Sequence, residues 1–390
     1  MQDNYSKLHN VGIFLLCLYL IILPIDSALG NLIGKISMIN YIALAYALVR
    51  LAEIILINKK LYIKNLKNNK IILLYLGYYF ISLLWIKGAQ FNRFFILSML
   101  FSFIVYFLSM TNKYTDEDIK KLYKSLLFGI ISVLFALIFL ADYHTFNGRL
   151  VFNASRTMDP NFFTIGLCII TSLLFNNIIN KRKTLLNLIC LIFIFLVIAL
   201  TGSRGGLIAN FIVIIFSFLF SSASVGKKIK VISILVVFFS IFFALTVKLL
   251  PSNVLNRYSV EYTVKDNGAG RSNIWSKALK SYSNSKSFYI VFGTGAASFQ
   301  YAIPDNYSAS HNVFIQTLIE CGLIGSILFI SLCIKTIINL IKNHNYILLC
   351  SFVGIIFGCL TVDFNESRTF WICLFLSNYS INFSKLNYEK

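Results

Sequence analysis

Three residues whose types could do chemistry stand in the second half of the chain. Arg204 lies in TGSRGG at 201–206, Arg271 opens RSNIW at 271–275, and His311 opens HNVFIQTLIECGLIG at 311–325. A guanidinium stays charged at any relevant pH, and its planar fork matches phosphate oxygens. A neutral imidazole at a helix start can take a proton from a hydroxyl. The set points to a phosphate or diphosphate group and a hydroxyl nucleophile. Arg149 and Arg156, in DYHTFNGRLVFNASRTMDPN at 142–161, add cations. Ser203 and the amides after it could donate to an anion, with the glycines of TGSRGG allowing a tight turn and close approach. Asn312 could cap the helix it precedes or orient a sugar. Each has a plainer reading. Arg204 could snorkel from a short hairpin, and His311 could be merely interfacial.

Position in the membrane gives these residues their setting. The chain has 390 residues, 58% of them apolar and only 13% charged, with a mean hydropathy of +0.77. A soluble protein could not bury its apolar runs, which are continuous rather than alternating. The expected fold is an all-α polytopic membrane protein, residues 1–390 forming a single integral domain with about twelve transmembrane helices. The runs are 11–29, 35–57, 70–86, 94–111, 122–141, 162–178, 184–200, 205–221, 229–250, 312–334, 346–362 and 368–381.

Cations cluster in alternate links: Lys59 to Lys70, Lys113 to Lys124, Lys181 to Lys183, Lys227 to Lys230, Lys335 with Lys342, and Lys385 with Lys390. This bias puts both termini in the cytoplasm and Arg149, Arg156, Arg204, Arg271 and His311 on the outer face. It also gives the net charge of +20 a role in orienting helices and meeting anionic lipid rather than nucleic acid. Residues 251–311 form one long outer loop carrying short helices. In it RSNIWSKALKSYS can form an amphipathic helix with Ile274, Trp275, Ala278 and Leu279 on one side.

Other features carry less. The eight cysteines read as small hydrophobes, and the first apolar run as a retained anchor. FGTGAASFQ, at 292–300, is a glycine turn without the Lys and Ser/Thr of a phosphate-binding loop. Asp159-Pro160-Asn161 is a helix start. Asp363 and Glu366 are placed to pair with Arg368. No motif supports a metal site or a serine hydrolase. Among carboxylates within spans, Glu320 is the best argument for a transporter.

Taken together, TGSRGG at a span start, RSNIW and FGTG within the long loop, and HNVFIQTLIECGLIG returning to the membrane resemble the O-antigen ligase/polymerase superfamily. The resemblance covers mainly 150–335, with DPNFF as an upstream element. It implies an enzyme: a metal-independent, inverting glycosyltransferase at the outer face of the bacterial cytoplasmic membrane, with no cofactor. The implied donor is an undecaprenyl-diphosphate-linked oligosaccharide. A chain-length regulator and a flippase are the implied protein partners. By this likeness Arg204 and Arg271 contact the diphosphate, and His311 activates the acceptor hydroxyl. Arg149, Arg156, Ser203 and Asn312 would be supporting substrate contacts. The loops, rich in Tyr, Asn and Ser, favour a repeat-unit polymerase serving O-antigen, capsule or exopolysaccharide assembly. The alternative is a ligase that transfers the glycan to lipid A core in making lipopolysaccharide. A lipid-linked sugar transporter is a third reading.

Overall fold

The computed structural model describes the chain except for residues 1, 27–36, 57–68, 87–90, 145–147, 153–158, 222, 304–306 and 381–390, and the side chains of 2–6, 94 and 364. Arg156 and the cations Lys59, Lys60, Lys64, Lys67, Lys385 and Lys390 lie outside the described residues.

The described elements run α1 (Gln2–Ile22), α2 (Met38–Leu56), α3 (Lys70–Ile81), α4 (Arg93–Met110), α5 (Asp116–Phe139), β1 (Ala141–Asp142), β2 (Val151–Phe152), α6 (Pro160–Gly166), α7 (Cys168–Ile179), α8 (Thr184–Leu200), α9 (Arg204–Leu219) and α10 (Val225–Leu249). The polar stretch then forms α11 (Ser252–Asn256), α12 (Val260–Lys265), α13 (Arg271–Ser283), α14 (Ser287–Phe292) and α15 (Phe299–Ala302). The chain closes with α16 (Val313–Lys342), α17 (Tyr346–Gly358) and α18 (Arg368–Leu376). The protein is all-α and multi-pass; its one sheet among the described residues is the short antiparallel pair β1–β2.

Among the described residues, six helical segments are long and apolar enough to cross a membrane: Lys7–Ile25, Met38–Leu56, Asp116–Phe139, Pro160–Ile179, Val225–Leu249 and Val313–Lys342. The expected twelve is therefore too many. Other apolar runs form helices of 10–17 residues. At 1.5 Å per residue such a helix spans at most about 26 Å, short of the ~30 Å hydrocarbon core. The run at 70–86 ends in a 3₁₀ turn, Ser82–Trp85, and the last run is helical only over Arg368–Leu376.

At one end of the bundle, α1, α2 and α5 are tied by buried polar groups. His9 of α1 lies between Glu53 of α2, 3.9 Å from its Nδ1, and Asp118 of α5, 3.2 Å from its Nε2, and Glu53 also pairs with Arg50. Asp118 also completes a capping box with Thr115 at the start of α5, satisfying donors that a helix start leaves open. At the opposite ends of α1 and α2, Arg368 pairs with Asp26 and donates to Asn40 Oδ1 at 2.6 Å. The expected pairing of Arg368 with Asp363 or Glu366 is thus replaced by a link between α18 and the early part of the chain.

The other end is organised by a break in α16. Gly322 has φ 66 and ψ −164, so the helix loses its ladder there. The carbonyls around the break find new donors in FGTG: Thr294 N donates to Ile319 O and Gly295 N to Glu320 O, both at 2.9 Å. The two backbones come so close that a Cβ on Gly293 would stand 2.2 Å from Glu320 O, and one on Gly322 would stand 2.5 Å from Gly293 N. Only glycine fits either place, and both have positive φ, where a side chain is strained. The FGTG turn is therefore a dock for the long loop upon α16. The buried Glu320 carboxylate reinforces the dock by accepting from Ala297 N, Phe299 N and Gln316 Nε2.

Gly322→Ala is expected to destabilise the protein by at least about 2 kcal/mol, because it adds a clash to an unfavourable φ. Thermal unfolding of the purified protein in detergent measures this. A melt equal to wild type would mean that the two backbones can separate freely.

Candidate functional site

The site begins at the turn between α8 and α9. Gly202 turns the chain with φ 63. Ser203 caps α9, its hydroxyl accepting from Gly206 N at 3.2 Å and donating to Asn161 Oδ1 at 2.8 Å. It also accepts from Thr164 Oγ1. Ser203 is buried, and these bonds commit its hydroxyl to joining α9 and α6. Gly205 and Gly206 serve the same packing: a Cβ would meet Thr361 Oγ1 at 2.3 Å or Thr164 Oγ1 at 1.8 Å. The glycines beside Arg204 let helices approach, rather than a ligand. Asp159 caps α6 with Pro160 in its first turn, as the sequence predicts.

Arginines surround this turn. Arg204 donates from Nη1 to Thr263 Oγ1 at 2.7 Å and from Nη2 to Asp266 Oδ2 at 2.8 Å. Arg149 Nε donates to Thr201 O at 2.7 Å, and Arg257 Nε to Gly202 O at 3.3 Å. Gly202 lies against both of the latter; a Cβ would stand 3.2 Å from Arg257 Cδ and 3.3 Å from Arg149 Nε. Burial pushes the Arg149 guanidinium down to about 10, with Arg257 and Arg271 adding to the shift and Asp159 opposing it. Arg271 is pushed down by burial and by Arg204 and Arg257, against the fields of Asp159 and Asp363. Such directions mark crowded positive charge, which an anion would relieve.

Arg271 is the first residue of α13, and that helix carries it to the site. Ile274 and Ala278 bury against Phe299, Ala302, Ile303 and Ile319. Trp275, one turn after Arg271, donates Nε1 to Ser310 O at 2.9 Å. Leu279, expected on the same side, is exposed. The spacing of RSNIW therefore ties the arginine to the chain segment that holds His311.

His311 sits in a turn with φ 54. Asp363, from the link between α17 and α18, holds that turn. Its Oδ2 accepts from His311 N at 3.0 Å, and its Oδ1 accepts from Asn312 N at 3.0 Å and Ser310 Oγ at 2.8 Å. Burial pushes the Asp363 carboxyl up, while His311 and the three donors oppose that shift. Asn312 is buried and caps α16, accepting from Phe314 N at 3.0 Å and Ile315 N at 3.3 Å. The His311 imidazole stays half-buried beside a carboxylate whose field also reaches Arg271.

One end of the molecule thus gathers Arg149, Arg204, Arg257, Arg271 and His311, with Asp159, Asp266 and Asp363 among them. Residues 189–330 match the family described as O-antigen ligase. This stretch belongs to the O-antigen ligase/polymerase superfamily. No curated protein matches the chain. The matched region contains Arg204, Arg257, Arg271 and His311, whereas Arg149, Asp159 and Asp363 come from outside it. No group of three or more His, Cys, Asp or Glu side chains among the described residues is arranged to hold a metal ion.

Sequence reasoning passed over Arg257, Asp266 and the partner of His311. Arg257 is one cation among several in a polar loop, and nothing in its neighbours sets it apart. Asp363 follows the region that carries the motifs, so only the fold shows its partners.

Asp363→Ala would strand the His311 amide and leave Asn312 N and Ser310 Oγ only their bonds to each other's residue, and is expected to cost about 1–3 kcal/mol. Thermal unfolding tests this; an unchanged melt would mean that solvent already serves those donors.

Proposed function

We propose that the protein transfers a glycan from a lipid diphosphate to an acceptor hydroxyl at the outer face of the cytoplasmic membrane. The observation that carries this is the tie of α13, which begins at Arg271, through Trp275 to Ser310 beside His311, with Arg271 in the fields of both Arg204 and Asp363. The family match of residues 189–330 supports the same reaction class.

In this reading His311 takes the proton of the acceptor hydroxyl as its oxygen bonds the anomeric carbon. The bond from that carbon to the diphosphate oxygen breaks, and the lipid diphosphate leaves. Arg204 and Arg271 stabilise the charge that grows on it, with Arg149 close by. Fixed donors do this without reorganising during the reaction, and holding the hydroxyl in line removes part of the entropic barrier. Asp363 keeps the backbone of His311 in place through its bond from the His311 amide. Ser203 and Asn312 support the site as helix caps. An inverted anomeric centre follows from a single direct displacement.

For the acceptor we favour lipid A core, which makes the protein an O-antigen ligase, because the matched family carries that description. The polymerase reading rests on loop tyrosines. Two of these serve structure: Tyr258 donates to Ala199 O and Tyr282 to Ile290 O, each at 2.9 Å. Tyr262 and Tyr301 remain exposed and available to sugars in either enzyme. The transporter reading loses its main support, since Glu320 is engaged in docking FGTG.

The deciding experiment supplies purified protein with one synthetic undecaprenyl-diphosphate repeat unit. Transfer only after lipid A core is added is the expected result. A ladder of longer lipid-linked chains without core would make it a polymerase. In the same assay His311→Ala is expected to lower transfer by about 100-fold or more. Arg204→Lys, which keeps charge and loses the fork, should lower it by about tenfold. Normal transfer by the His311 variant at equal protein level would sink the base assignment.

A further inference from the structure

The Arg204 fork is held by a carboxylate from the long loop. Asp266 follows α12, and its Oδ2 accepts from Arg204 Nη2 at 2.8 Å. The contact is no loose surface pair, as the side chains are 17% and 20% exposed. Thr263 engages Nη1, so both terminal nitrogens of Arg204 face α12. Asp266 also lies in the field of Arg257. A carboxylate that accepts from one guanidinium, with a second held by the Gly202 carbonyl two residues before the first along the chain, has the chemistry of a phosphate seat: a compact set of anionic oxygens read by forked donors.

We propose that Asp266 and a phosphate of the lipid-diphosphate donor compete for one seat between Arg204 and Arg257. This rests on the function proposed above and adds two residues to it. Arg257 is a further diphosphate-binding residue, and Asp266 is a stand-in that the donor must displace.

The surrounding fold is suited to the exchange. No residue of α12 is buried, so moving it uncovers little apolar surface. Val260 and Val264 are already 80% and 71% exposed. The following residues, Asn267, Gly268, Ala269 and Gly270, all have positive φ. Two of them are not glycine, so this joint is held in a conformation that L side chains disfavour. Asp266 Oδ1 accepts from Ala269 N at 3.0 Å, which couples the carboxylate to the joint. Arg271 begins α13 directly after it. Release of Asp266 would free α12 while α13 stays packed through Ile274 and Trp275.

The test measures binding of undecaprenyl diphosphate to the full chain in lipid nanodiscs. Asp266→Asn keeps an acceptor for Ala269 and removes the competing charge. Its Kd is expected to fall by about fivefold. Arg257→Gln should raise Kd by about tenfold in both wild-type and Asp266→Asn backgrounds. Arg257→Lys should retain more binding than Arg257→Gln, which a purely structural bond from Nε to Gly202 would not produce. Thr263→Val removes the other contact to Arg204; if Asp266→Asn does not purify folded, a tighter Kd in this variant carries the test. Unchanged or weaker binding by both loop variants would show that the loop braces Arg204 and would overturn the exchange. Arg204→Ala separates the two proposals. If it weakens binding while the loop variants do not tighten it, the exchange alone fails. If it leaves Kd unchanged, Arg204 holds no phosphate, and the proposed function falls with it.

Discussion

A single carboxylate fixes the end of the molecule where the arginines and His311 gather. Asp363 takes two consecutive backbone amides and a neighbouring hydroxyl, and so closes the 310–312 turn against the α17–α18 link. Backbone donors pinned in this way cannot rotate, as side-chain donors can. The turn then sets His311 outside α16 while Asn312 caps that helix. Trp275 grips the same turn at Ser310 O, which brings Arg271 into register. Without the carboxylate, the His311 amide would lose its acceptor, Ser310 and Asn312 would keep only their bonds to each other, and the turn would lose its tie to the α17–α18 link.

Two kinds of glycine contact support this frame. At Gly205 and Gly206 a missing Cβ lets α9 lie against Thr361 and Thr164. At Gly293 and Gly322 it lets two backbones touch. The first kind sets where Arg204 starts its helix. The second holds the long loop on α16, so that α13 has a platform. Cationic side chains are thereby concentrated by packing that is itself neutral. The repulsion among them is offset locally by Asp159, Asp266 and Asp363.

Much of this was legible in the sequence. Apolar runs and sparse charge identify a multi-pass helical protein. The motifs at 201–206, 271–275 and 311–325 name residues that the fold does bring to one end. The number of crossing helices was not legible, because an apolar run does not show where the helix inside it stops; Ser82–Trp85 turns 3₁₀ within such a run. The roles of Ser203 and the adjacent glycines were read as ligand contact, whereas Asn161, Thr164 and Thr361 claim them. Local spacing cannot show partners so distant along the chain. Arg257 was hidden for the opposite reason: a lysine- and arginine-rich loop gives a single useful cation no contrast. Asp363 was noticed, and its partner was assigned as Arg368 by proximity in sequence. The competing attraction of Asp26 and Asn40 for Arg368 decided otherwise.

The position of Asp363 also limits how this protein can be divided. The stretch 189–330 carries Arg204, Arg271 and His311, yet the carboxylate that closes the histidine turn lies beyond it. So does α17, against which α9 packs, while α6 and α7 precede it. A fragment cut to those bounds would keep the recognisable motifs and lose what holds them in relation to one another. The end that gathers the arginines and His311 is a property of the whole bundle. It is not a module that could be grafted elsewhere, and recombination between related chains would preserve it only if both sides of each of these contacts were inherited together.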